Sequence, residues 1–372
     1  MKRVVLFSYP VFLLIVTIFS FFFVDTHFFY LQWVFEHLQL QRNLKIFLLL
    51  IVIIIFFSYY VYFLHLLQLR KLTKREGIFL IIITALCLLP AYPTVFSYDI
   101  FNYMATAKVA YFYKENPYIV MPIEFTGDPI LRFMHAPNKT ALYGPVWILI
   151  SAVPYLLSFG NFLVGMYLFK VLVMVFYLLV LYLLFKMSKN MFPVLFFGLN
   201  PLVVIETLLS GHNDIVMVWF LLLFLLCIFR SKYGPGITFL VFSIFIKYAT
   251  LPVVAVFLFI RKSKFQSGKV WRTTVLRWSM YLMVIVFLLS FLREEIYPWY
   301  AIWFLPFVAL IGSRKKRTLA VILSVSLLLR YFPYYIFLTP AGMTALVKSL
   351  ITFIPVLTVL FYFAISHVWS KK

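Results

Sequence analysis

The chain has 372 residues, of which 65% are apolar, 21% aromatic and only 12% charged, and its lysines and arginines outnumber the acids to give a net charge of +22. No water-soluble domain hides that much hydrocarbon, and apolar runs that are continuous rather than alternating exclude a closed β-barrel. Positive charge spread over loops between such runs reads as topology signals facing anionic lipid, not as a nucleic-acid surface.

The predicted fold class is all-α: a polytopic transmembrane helical bundle of about 10–13 spans forming one domain over residues 1–372. The first apolar run, 4–24, follows Lys2 and Arg3 and lacks a small-residue cleavage site, so it is read as an uncleaved span. Runs at 44–67 and 77–93 follow. After this third span comes a large polar loop, 94–143. Its opening part places Phe101, Met104, Ala105, Lys108 and Phe112 along one stripe, which predicts an interfacial helix lying flat on the membrane. The rest of the loop, with Asn116-Pro117, Gly127-Asp128-Pro129 and Ala136-Pro137-Asn138, is turn chemistry.

Further spans are predicted at 162–186, 191–208, 214–230, 278–292, 299–313, 318–338 and 344–366. Two stretches are irregular: 144–160, interrupted by Pro154, and 236–260, with Lys247 in its middle and Pro252 just beyond. Cys87 and Cys227 fall inside apolar runs, which argues against disulfide or zinc chemistry. Basic clusters at 2–3, 70–75, 186–189, 230–232, 261–277, 314–317 and 371–372 mark the cytoplasmic side. The loops at 25–43, 94–143, 209–213, 293–298 and 339–343, with the adjoining span ends, then face outward and hold every acid except Glu76. This plasma-membrane topology, with a cytoplasmic N-terminus, requires 144–160 to dip in and return. It also requires 236–260 to be a broken pair with Lys247 near the outer face, as is tolerated where backbone lines a cavity.

A carboxylate is expensive to hold at a bilayer, so the acids at span ends are functional candidates: Asp99, Glu206, Asp214 and the pair Glu294/Glu295. Asp99 suits a helix N-cap or a general base, and the two roles are compatible. Gly211-His212-Asn213-Asp214 reads as a turn between helices, but Glu206 upstream, inside an apolar run, needs a partner or water. Lys247 lies too far inside its run to snorkel easily, and with Arg293 it suits an anionic phosphate. Tyr297-Pro298-Trp299-Tyr300 fits either the edge of such a site or an interfacial aromatic belt. No histidine spacing argues for metal, and neither a phosphate loop nor a serine elbow is present.

Four stretches together resemble the glycosyltransferase C superfamily, and most closely its polyprenol-phosphomannose-dependent mannosyltransferases. They are Ser97-Tyr98-Asp99-Ile100-Phe101-Asn102-Tyr103 leading to Asn116-Pro117-Tyr118; Tyr143-Gly144-Pro145-Val146-Trp147; Asn200-Pro201 through Glu206 to Gly211-His212-Asn213-Asp214; and Tyr297-Pro298-Trp299-Tyr300. The resemblance implies an inverting transfer of a hexose, mannose by analogy, from a polyprenyl-phosphate sugar to a lipid-linked or cell-envelope glycan at the outer face. It implies Asp99 as catalytic base, and the residue chemistry read beside it puts Lys247 and Arg293 on the donor phosphate. Glu206, His212, Asn213, Asp214, Tyr98, Asn102, Tyr143, Trp299 and Tyr300 would surround the sugar or acceptor. No second acid closely follows Asp99, so the acidic pair that holds metal in some branches is missing; a divalent cation, Mg²⁺ or Mn²⁺, stays open as cofactor. The inventory suits transfer from a phosphate, which leaves without protonation and asks for one base and nearby cations. The alternative from another class is a multi-pass transporter or flippase, for which broken segments with buried charge also argue, although no repeated halves are visible.

Overall fold

A computed structural model describes residues 2–25, 32–37, 40–262, 268–292, 295–339 and 342–369. All regular structure among them is helical. In chain order the helices are α1 (Lys2–Ser20), α2 (Gln32–His37), α3 (Arg42–Gln68), α4 (Lys74–Leu88), α5 (Asp99–Tyr111), α6 (Pro145–Leu157), α7 (Phe162–Ser188), α8 (Met191–Gly198) and α9 (Pro201–Val204). They continue with α10 (Asp214–Ile228), α11 (Tyr233–Ile244), α12 (Val253–Lys262), α13 (Lys269–Leu289), α14 (Leu305–Ile311), α15 (Arg314–Leu329), α16 (Phe332–Phe337) and α17 (Met343–Trp369).

Six of the described helical segments are long and apolar enough to cross a membrane: 2–23, α3, α7, 269–292, 314–337 and 343–366. A seventh forms if α8 and the segment 201–209, bent by 61°, count as one span. The sequence led us to expect more, because runs such as 214–230 and 299–313 are as apolar as any lipid-facing helix. Both form shorter apolar helices, Asp214–Ile228 and Pro298–Ile311. Helix α10 is buried over most of its circumference, and only the stripe Trp219, Leu223, Leu226 and Cys227 is partly exposed, so most of its apolar residues face protein. Hydropathy measures the cost of meeting water; it does not separate a lipid neighbour from a protein one.

The first helices set the frame. Lys2 pairs with Glu76 at 2.6 Å, Tyr9 bonds Thr84 at 2.9 Å and Thr17 bonds the Cys87 carbonyl at 2.6 Å, so α1 and α4 run parallel in register. Glu76 also closes a reciprocal cap with Thr73 that starts α4. At the other end of α4, the fully buried Lys170 of α7 donates to the carbonyls of Leu88 (3.1 Å) and Ala91. That contact satisfies orphan carbonyls of a helix terminus and fixes the turn leading to Asp99.

Three irregular stretches depart from straight spans. The expected interfacial helix exists as α5, but Ile100 through Ala107 are all buried, so it is packed inside the protein rather than laid on a surface with one face exposed. Its stripe of apolar residues meets α6 and α7, and its small residues Ala105 and Ala107 permit close approach. Residues 145–157 form one helix that Pro154 does not break. The chain then turns through Ser158–Asn161 into α7, where the Asn161 side chain caps the new helix. The break in 236–260 is present as expected: α11 ends at Ile244, a short turn covers Tyr248–Thr250, and Lys247 lies in the gap. Gly144 and Val146 donate backbone hydrogen bonds to the carbonyls freed at Ile246 and Phe245, each at 3.0 Å. A Cβ at Gly144 would meet the Phe245 carbonyl oxygen at 2.1 Å, which is why glycine is needed there.

Candidate active site

The expected convergence of the 94–143 loop, the 211–214 turn and the Lys247 break takes place. Asp99 begins α5, where the backbone amide is held by Ser97 Oγ at 3.2 Å and Asn102 Nδ2 reaches Oδ1 at 3.4 Å. Glu206 lies on a single π-helical turn, Ile205–Leu209, that continues α9. Such turns rotate side chains out of the helical register and recur at functional sites. Gly211, at φ +79°, then reverses the chain, and Asn213 and Asp214 start α10.

His212 stands between two carboxylates. Nδ1 is 3.5 Å from Asp99 Oδ2 and Nε2 is 3.2 Å from Glu206 Oε2, ion-pair distances without hydrogen-bond alignment. Its ring stacks on Trp299 with centroids 4.0 Å apart, and Trp299 stacks in turn on Tyr297 at 4.5 Å. Burial disfavours the charged ring, but Asp99 and Glu206 outweigh it and raise the His212 pKa to about 9. Burial also pushes Asp99 upward; His212, Lys247 and Asn102 win and hold its carboxyl below the usual range.

A second pair lies alongside. Lys247 Nζ is 2.6 Å from Asp214 Oδ2, and Trp303 Nε1 donates to Asp214 Oδ1 at 2.5 Å. The Tyr300 ring, stacked on Trp303 at 4.2 Å, faces Lys247 at 5.5 Å. The Tyr103 hydroxyl accepts from the Asn213 amide at 3.2 Å, and the Tyr103 ring packs edge-on against Tyr143 at 4.7 Å.

Several buried polar atoms here have no hydrogen-bond partner: Asn102 Oδ1, Tyr143 OH, Glu206 Oε2, Ser210 Oγ and both side-chain polar atoms of Asn213. An orphaned buried donor or acceptor costs about 1–3 kcal/mol, so a cluster of them implies that water or a polyhydroxylated ligand completes the site. One difference separates the acids. Glu206 and Asp214 have no side-chain exposure, while Asp99 keeps 22% and opens to the outside of the cluster.

Of the residues expected from sequence, Asp99, Asn102, Glu206, His212, Asn213, Asp214, Tyr143, Lys247, Trp299 and Tyr300 are brought together. Tyr98 is adjacent to Asp99 but turns its ring onto His135, 3.7 Å away. Arg293 and Glu294 lie outside the described residues. Three contacts were not anticipated: Tyr331 OH donating to Glu206 Oε1 at 2.9 Å, Trp303 on Asp214 and Tyr103 on Asn213. Trp303 and Tyr331 lie in apolar runs, with no local signal apart from an indole N–H or hydroxyl that must find a partner when buried, whereas Tyr103 lies in the Ser97–Tyr103 stretch, which gave no sign that its partner is Asn213. As for a divalent ion, Asp99 and Glu206 are separated by the imidazole, and no three His, Cys, Asp or Glu side chains among the described residues converge as ligands. The donor set does not fit a resident metal.

Residues 23–263, well over half of the chain, match the family described as alpha-(1->6)-mannopyranosyltransferase, N-terminal domain. A search of curated proteins and a search of solved structures each found no match.

Proposed function

The chain belongs to the alpha-(1->6)-mannopyranosyltransferase family and is a membrane mannosyltransferase; we propose that it moves mannose from a polyprenyl-phosphate donor to a glycan acceptor at the outer face of the plasma membrane. The observation that carries this reading is Asp99: an ionised carboxylate with its own opening, backed by a buried imidazole that a second carboxylate holds in place. Asp99 takes the proton of the acceptor hydroxyl as that oxygen bonds to the anomeric carbon. The bond from the anomeric carbon to the phosphate oxygen breaks, and polyprenyl phosphate departs with the electron pair. An α-linkage formed by one inverting displacement requires a β-linked donor, and a 6-hydroxyl, being a primary alcohol, is weakly acidic enough to need the base.

His212 and Glu206 are positioning residues in this scheme. The protonated ring keeps Asp99 ionised and aimed, and Trp299 stacked on the ring holds its plane. The unpartnered Asn102, Tyr143, Ser210 and Asn213 atoms supply hydrogen bonds for sugar hydroxyls. Lys247 and Asp214 match each other in charge, so the pair suits sugar or acceptor hydroxyls and leaves no charge over for a phosphate.

The test is Asp99→Asn, assayed for transfer from a labelled lipid-phosphate mannose. A general base contributes ~10²–10⁴-fold, so a loss of that size in a variant eluting like the parent is expected. Activity within about tenfold of the parent rejects Asp99 as base.

A further inference from the structure

Beside this site lies a second cluster of charge that the scheme above leaves unused. Arg330, at the end of α15, and Lys348, in α17, both contact the same Glu295 oxygen, each at 3.2 Å. Arg330 Nη1 also donates to Thr352 Oγ1 at 3.1 Å. The two cationic side chains are 8% and 11% exposed, and Glu295 is 36% exposed. Two buried cations thus share one carboxylate, leaving one positive charge unmatched among the described residues. Lys247, by contrast, has Asp214 to itself. An unmatched charge at membrane level is costly unless an anion completes it.

The cluster joins the active centre by two short routes. Arg330 precedes Tyr331, whose hydroxyl holds Glu206. Glu295 lies two residues before Tyr297, the outer member of the Tyr297–Trp299–His212 stack. An anion gripped here would hold its attached sugar on the Glu206 and His212 side of the site, which Tyr331 and the Tyr297–Trp299 stack reach directly.

We propose that Arg330 and Lys348 form a phosphate subsite, in which Glu295 is the resident counter-ion that a lipid-borne phosphate displaces. This deepens the transferase reading by naming what holds the donor's charge. A guanidinium grips a phosphate through two parallel N–H bonds, and the ammonium adds a point charge from the facing helix. The more exposed Glu295 is the group free to move aside. No bond is made or broken in this exchange of one anion for another.

The probe is a short-chain polyprenyl phosphate without sugar, added to the full-length protein in nanodiscs of neutral lipid. Its affinity is measured by direct binding and by the shift in melting temperature it produces. We expect Arg330→Gln and Lys348→Gln each to weaken binding at least tenfold. Lys247→Met is expected to weaken it less than threefold. Glu295→Gln removes the competing carboxylate, so the phosphate should bind several-fold tighter and raise the melting temperature more than in the parent. The Glu295 variant keeps the proposal testable if the cation variants fail to fold. The proposal is overturned if Glu295→Gln weakens binding, or if Lys247→Met weakens it more than the Arg330 and Lys348 variants do. Equal displacement by phosphatidylglycerol or by inorganic phosphate would overturn it too, by assigning the pair to bulk headgroups or to any free anion. Because binding is read without turnover, Asp99→Asn should bind like the parent. An inactive base assignment and a wrong phosphate subsite therefore fail in different assays.

Discussion

Asp99 and Asp128 belong to the same polar stretch between α4 and α6, each beginning a helical turn, and their surroundings are opposite. Asp128 is saturated. Its oxygens accept from Lys108 Nζ (2.8 Å), the Ile130 amide (3.0 Å) and the Tyr113 hydroxyl (2.8 Å), and its side chain is 2% exposed. The Tyr113 ring is itself pinned by stacking on Phe125 at 3.6 Å. Asp99 is slack: its contacts to Asn102 and His212 are 3.4 and 3.5 Å, and it retains an opening. A carboxylate with every lone pair engaged stabilises a loop and has nothing left to accept a proton from a substrate. One held by longer contacts beside a cation stays ionised and available.

Exchanging Asn for each acid is the strongest way to break this comparison. Asp99→Asn should lose ~10²–10⁴-fold in transfer while melting like the parent. Asp128→Asn should do the reverse, with transfer per folded molecule within about twofold and stability lower by about 1–3 kcal/mol, read by thermal melts in detergent. If both variants lose activity alike, the distinction between a slack and a saturated acid fails.

A subtler effect is expected from His212→Gln. Its raised pKa means that the cation beside Asp99 is present at neutral pH and lost as pH rises through about 9. Parent activity should therefore fall on the alkaline side near pH 9, and on the acid side only below the ordinary carboxylate range. In His212→Gln the alkaline fall should vanish. The acid limb should move up by roughly one to three pH units, because removing a nearby cation raises a carboxyl pKa. A profile with both limbs unchanged would remove His212 from the scheme.

Acid unfolding sharpens the other half of the comparison. Burial pushes the Asp128 carboxyl up, but Lys108, the Ile130 amide and Tyr113 pull it below its usual value. Its contribution is thus present above the unfolded-state pKa and is lost as pH falls through the lower folded one. Asp128→Asn should flatten that acid-side loss of stability in a pH series of melts. The smallest effect belongs to Lys2–Glu76, whose side chains are 31% and 29% exposed. Lys2→Met should cost no more than about 1 kcal/mol, and high salt should erase the difference.

Much of the site was legible before any coordinates. Asp99, Glu206, His212, Asp214 and Lys247 stand out because each is a polar or charged group beside or inside hydrocarbon, a cost paid locally and therefore visible locally. The turn residues Gly127-Asp128-Pro129 and the break around Lys247 were legible for the same reason, since backbone geometry near Gly and Pro is set by neighbouring atoms. Which apolar helices are buried in protein was not, because α10 and a lipid-facing span have the same composition.

Nor does local sequence reveal who pairs with whom. Tyr331 meets Glu206 across 125 residues, and Trp303 meets Asp214 across 89. The sequence by itself determined an all-helical membrane protein, the polar residues that must be compensated and the places where helices break. Only the tertiary structure decided that His212 lies between two acids, that Asp214 matches Lys247, and that Arg330 and Lys348 share Glu295. Charge must be balanced wherever it is buried, but the partner that balances it is supplied by the packing of distant segments.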